Sequence, residues 1–364
     1  MHLKVRTRSS FPPFVRKKDS TPRVMADVVV ALIPCVFMSW LAYGFTPVMV
    51  VLVALGSALA AEFLFSLAYF GRTDPVSDGS AVITGILLAF TIAPFTPLYV
   101  VAFGGAMAVI FGKLLWGGLG RNMFNPALVG REFMTICFPA VMASRSIWYN
   151  AGEGNISSVN ISGMPFINDL FYKPAGAIGE YSVFFLVLGG LYLLFRRRIS
   201  WHIPFALCTA FTACFLLFST PGIRFSLGGV LLGAIYMATD MPTSSSTRYG
   251  KLYYGAMIGV AAVICLLNGV RYEYMSYAIL LLNAFARPVN WVFRPRVWGT
   301  DTDMPQRLLQ GTALTAAIFA VCFAVIYLHR LGAVMYLVFA YIAFCVLRFI
   351  VERQRARRAA AAAA

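Results

Sequence analysis

The residues best suited to chemistry come in two sets, and each set occurs twice. Thr73-Asp74-Pro75, followed at once by Val76-Ser77-Asp78-Gly79-Ser80, returns as Thr239-Asp240-Met241-Pro242-Thr243-Ser244-Ser245-Ser246-Thr247. Asn122-Met123-Phe124-Asn125-Pro126 follows the first copy, and Asn283-Ala284-Phe285-Ala286-Arg287-Pro288 follows the second. Carboxylates beside hydroxyls, and amides before a proline, hold ligands through hydrogen bonds. They also cap helices, and capping accounts for the Asp and Ser/Thr positions equally well. Metal and thiol chemistry find little support. The 7 cysteines are scattered through apolar segments with no CxxC, and the 3 histidines sit at the terminus or at span edges.

The elements that must position these residues are membrane helices. The chain is 60% hydrophobic and 12% charged, about half the charge of a soluble chain. Apolar runs predict spans over 25–44, 47–70, 97–116, 124–142, 181–195, 200–218, 251–268, 273–292, 306–328 and 332–350. Two shorter runs, 80–94 and 226–239, each adjoin a Thr-Asp motif and read as broken spans. Exposed backbone groups are tolerated at membrane depth only where protein or a polar cavity satisfies them.

The net charge of +16 reports topology rather than a polyanionic partner such as nucleic acid. Lys4, Arg6, Arg8, Arg16, Lys17, Lys18 and Arg23 precede the first span, and Arg196-Arg197-Arg198, Arg294, Arg296 and Arg353–Arg358 mark later boundaries. Lys and Arg resist translocation, so these clusters belong in the cytoplasm. Threading them gives about twelve crossings with both termini cytoplasmic and no cleavable signal peptide. Five crossings per half is odd, so the halves must be inverted, and such repeats place a binding site between them near the bilayer midplane. The expected all-α organisation is a basic N-terminus (1–24), a first five-helix repeat (25–142), a non-cytoplasmic loop (143–180), a second, inverted repeat (181–299), and a hairpin with a basic tail (300–364).

The stretches Ser77–Gly85, Gly117–Leu128, Met237–Gly250 and Arg294–Gly299 resemble the RnfD/NqrB family of membrane flavoprotein subunits, the RnfD branch most closely. The resemblance covers about residues 20–299 and implies a subunit that passes electrons through flavin. It would sit in the cytoplasmic membrane of a bacterium or archaeon, among other Rnf-type subunits (A, E, G, C and B-like). The complex would couple ferredoxin:NAD+ electron transfer to Na+ or H+ translocation. NAD and iron–sulfur centres would belong to the other subunits, in keeping with the absence here of a dinucleotide fingerprint and cluster-ligating cysteines. The resemblance also implies a non-covalent flavin, riboflavin or FMN, held against Asn122, Phe124 and Asn125, with Thr239, Asp240 and Ser244 contributing from the second half. Amide side chains can pair with the pyrimidine edge of a flavin. The family's second flavin, FMN on a threonine of the outer loop, is not expected. Residues 136–208 contain no threonine, and the nearest hydroxyls are Ser157, Ser158 and Ser162. A channel or transporter for a small solute, built on the same inverted repeat, is the alternative from another functional class.

Overall fold

The computed structural model describes residues 19–71, 77–148, 164–218, 222–295 and 304–363. Among them the chain is helical without strands, as a bilayer requires of a chain that satisfies its own backbone. The first half contains α1 (Thr21–Tyr43), α2 (Phe45–Phe65), α3 (Ser80–Phe90), α4 (Leu98–Gly112) and α5 (Pro126–Cys137). Two short helices follow, α6 (Pro139–Met142) and α7 (Pro165–Phe171). The second half contains α8 (Val183–Phe195), α9 (His202–Phe218), α10 (Leu227–Leu232), α11 (Arg248–Leu267) and α12 (Tyr274–Val292). A hairpin of α13 (Met304–Arg330) and α14 (Val334–Ala363) ends the chain. Among the described residues six helices are long and apolar enough to cross a membrane, and the protein is an all-α polytopic membrane protein.

The two short apolar runs fold as α3 and as α10, the latter continued by a π-helical turn over Gly233–Met237. The run expected to be one span over 124–142 is instead divided. Phe138 leaves helical geometry and Pro139 opens α6, because a proline lacks the N–H and clashes with the preceding turn.

The halves repeat their packing. α2 lies against α4 in the first half, and α9 lies against α11 in the second. Small residues permit both approaches, since lipid offers no hydrophobic drive between helices and close backbone contact must supply the attraction. A Cβ on Gly105 would stand 2.7 Å from the carbonyl oxygen of Ala54, and one on Gly255 would stand 2.5 Å from that of Ile203. The halves meet through α1 against α8 and α5 against α12. The hairpin divides its contacts, α13 packing on α11 and α12 while α14 reaches α5 and the turn at Leu114–Trp116.

Candidate functional site

The repeated motifs converge on one cavity of about 420 Å³ between the halves. Its wall includes Thr84 of α3, Asn122 and Asn125 before α5, and Thr239 and Asp240 beyond the π-helical turn. Four of the expected site residues are thus brought together. Phe124 is not on this wall: its ring packs edge-on to Tyr341 of α14 at 5.5 Å. Ser244 is buried beside the cavity, its amide donating to the Asp240 carbonyl at 3.0 Å. The first Thr-Asp copy, Thr73–Pro75, and the loop serines Ser157, Ser158 and Ser162 lie outside the described residues.

The two asparagines serve different ends. Asn125 caps α5, its Oδ1 accepting from Ala127 N at 3.0 Å and Leu128 N at 3.5 Å, with Pro126 at the first helical position where its missing donor costs nothing. Its Nδ2 donates to Met237 O at 3.3 Å, and its backbone N donates to Asn283 Oδ1 at 3.0 Å. Asn283 in turn donates to Thr243 O at 3.2 Å and to the Tyr254 hydroxyl at 2.7 Å. The repeated motifs of the two halves are therefore joined by a buried amide network. Asn122, 5% exposed, keeps its Oδ1 without any partner, and its Nδ2 makes only a 3.5 Å contact to Phe124 O. A buried carbonyl oxygen left unpaired costs about 1–3 kcal/mol, so this atom is a candidate acceptor for a water or a ligand donor.

The charged groups on the cavity wall are occupied elsewhere or balanced. Lys113, 1% exposed, pairs with Glu62 at 2.5 Å and Asp78 at 3.3 Å, and it donates to the Ser80 hydroxyl. Arg198, also on the wall, pairs with Asp19 at 3.0 Å and Asp27 at 2.6 Å, and Asp27 also receives Arg196 at 3.1 Å. Asp240 accepts from the Thr243 hydroxyl at 2.9 Å. Sequence reasoning missed the Lys113 cluster, although Glu62 inside the 47–70 run was a usable signal: an acid within an apolar span demands a partner.

A second, larger cavity of about 740 Å³ lies beyond the first turn of α5. Pro126 and Ala127 line the smaller cavity and Leu128 the larger, so this turn stands between them. The larger wall holds Arg131, Arg224, Arg271 and the stacked pair Trp148–Tyr272.

The NQR2, RnfD, RnfE family model matches residues 8–299, so the terminal hairpin follows the matched stretch. The chain is similar to the D component of the Na(+)-translocating ferredoxin:NAD(+) oxidoreductase complex of Acetobacterium woodii, with 32% identity over 80% of this chain and 94% of that protein. It is 31% identical to the D component of the proton-translocating ferredoxin:NAD(+) oxidoreductase complex of Clostridium ljungdahlii, over 80% of this chain and 96% of that protein. With the D component of the ion-translocating oxidoreductase complex of Cronobacter sakazakii it shares 29% identity, over 80% of this chain and 99% of that protein. The chain belongs to the NQR2, RnfD, RnfE family.

Proposed function

We propose that this chain is a flavin-carrying electron-transfer subunit of a membrane complex that couples ferredoxin:NAD+ oxidoreduction to movement of Na+ or H+. The names of its relatives supply the complex, with other Rnf-type membrane subunits as partners. The observation that carries the flavin is the unpartnered Asn122 Oδ1 on an otherwise mostly apolar wall. A few placed polar groups in an apolar cavity of about 300–1,000 Å³ is what small-ligand sites look like, and 420 Å³ lies within that range. Bound there, a flavin supplies one- and two-electron redox chemistry. The chain's own residues bind and orient: Asn122 offers an acceptor to an imide N–H, and the capped start of α5 keeps that residue fixed.

Charge selects the form. The two cations on the described wall, Lys113 and Arg198, are both ion-paired, leaving neither to meet a phosphate. This favours riboflavin over FMN, held without a covalent bond. The distribution of Lys and Arg along the sequence supports a cytoplasmic-side cavity in the cytoplasmic membrane, with both termini on that side.

Acid extraction of purified protein, followed by chromatography of the released flavin, tests the reading. Riboflavin is expected in the extract and no flavin fluorescence in the denatured band. Asn122→Ala removes one buried hydrogen bond and should weaken binding by about 1–3 kcal/mol, roughly 5- to 150-fold. Unchanged occupancy in that variant would move the flavin elsewhere. The second reading, a channel or transporter, draws on the two cavities separated by one helical turn. Solute flux in liposomes without redox partners would support it, and bound flavin without flux would dismiss it.

A further inference from the structure

Among the described residues Glu62 and Glu132 are the glutamates less than a tenth exposed, and they are held differently. Glu62 is paired with Lys113. Glu132 on α5 is 6% exposed, and neither of its carboxylate oxygens has a well-formed hydrogen bond, the Ser276 hydroxyl being the one side-chain donor that bears on it. The adjacent cation is directed elsewhere, as Arg131 donates to Tyr272 O at 2.9 Å and to the Ser276 hydroxyl at 3.3 Å. Its neighbours tie Glu132 to the larger cavity. Leu128, one turn earlier on the same helix face, lines it, and so do Arg131 and Ser276.

Among the described residues, the groups that face Glu132 are few. α12 and the residue before it present Glu273, Ser276 and Tyr277, and α5 itself presents Arg131. The Tyr277 hydroxyl stands 3.1 Å from His329 Nδ1 at the end of α13. α4 meets this part of α5 with Gly104 and Ala108, which carry no charge. α14 brings Val338 and Tyr341 against Val129 and Phe133, and the Tyr341 hydroxyl is already engaged by Trp116 and Phe111 O.

An unpaired carboxylate cannot be kept charged in such a place without a cost of several kcal/mol. A hard metal cation would ask for a shell of several oxygen ligands. Here the Ser276 oxygen already accepts from Arg131 and the Tyr277 hydroxyl is engaged with His329, which leaves a cation few uncommitted oxygens. A proton needs only the carboxylate. We propose that Glu132 is a proton-binding site within the membrane, loaded from the larger cavity past Ser276. The exchange is simple: the carboxylic acid releases a proton toward the cavity and the carboxylate takes one back. The site is independent of the flavin reading, because neither Glu132 nor Ser276 lines the smaller cavity.

Infrared spectroscopy of the full chain in lipid, taken through a pH titration, tests this directly. A carboxylic-acid carbonyl band that disappears at high pH is expected, and it should lose intensity in Glu132→Gln while staying intact in Glu62→Gln, with Glu180→Gln identifying any contribution of that acid on the wall of the larger cavity. Glu132→Gln is nearly isosteric, and an unchanged helical spectrum will certify its fold. Absence of the band in the parent protein, or an undiminished band in Glu132→Gln, would overturn the site. Loss of the band on adding Na+ at constant pH would replace the proton by Na+ and overturn the assignment. Ser276→Ala should slow the response of the band to a pH jump several-fold, and an unchanged rate would refute the route past Ser276.

Discussion

The two halves share a scaffold and part company before their last helix. In the first half the chain breaks, runs through Lys113 and the turn at Leu114–Trp116, and restarts α5 at the Asn125 cap. In the second half α12 runs unbroken through Asn283 and past Pro288. Asn125 is thus a helix cap in one half, while Asn283 is a mid-helix hydrogen-bond hub in the other. The difference teaches that duplication supplied the frame, and that departure from the repeat made the site. Only the broken copy releases a nearby amide, Asn122, from structural duty.

The largest expected effect concerns the charge cluster that exists in the first half. Removing one member of a buried pair leaves an uncompensated charge and costs about 3–5 kcal/mol. Lys113→Met should therefore lower the thermal stability of the purified protein sharply, and adding Glu62→Gln should recover part of the loss. A mild effect of Lys113→Met alone would mean that the cluster is wetter than its burial indicates. Next comes the repeated small-residue packing. Gly255→Val places new carbon against Ile203 O and should cost about 1–3 kcal/mol, occasionally more, read as thermal stability in detergent. The same change at Gly56, which has open space around it, should be nearly silent.

Smaller effects separate the asparagines. Asn125→Ala loses a cap and a cross-half bond, a destabilisation of about 1–3 kcal/mol. Asn283→Ala should cost a similar amount, and the double variant less than the sum, since the two residues share one network. Because the main-chain N–H of residue 125 persists in alanine, additive losses in that double-mutant cycle would uncouple only the two side chains. Asn122→Ala removes the unpaired buried oxygen and should not destabilise the unliganded protein, while lowering flavin content, which sharpens the contrast with its neighbour.

Much of the fold was legible because a bilayer allows few solutions. The apolar runs at 97–116, 251–268 and 273–292 became α4 with its short extension, α11 and α12 within a few residues. The run at 124–142 failed at Pro139, a signal present in the sequence and outweighed by overall hydrophobicity. The site was half legible. Motif repetition led to Asn122, Asn125, Thr239 and Asp240, which share one wall. It gave no sign that Phe124 turns toward the terminal hairpin, because α14 lies more than two hundred residues downstream and has no counterpart in the repeat. Nor did it reveal that Lys113 pairs with Glu62, 51 residues away, since a lone lysine beside an apolar run reads as an interfacial anchor.

The bond from Asn125 N to Asn283 Oδ1 spans 158 residues of chain. A ribosome that has just delivered α5 to the membrane must still synthesise most of the second half before that acceptor exists. Until then the wall carrying Asn122 has no partner across the cavity, and the nascent chain has no finished pocket to offer a ligand. A ligand of that cavity would consequently find a finished pocket only once α12 has been made, and a polypeptide that stops short of α12 should bind none however well its first five helices insert.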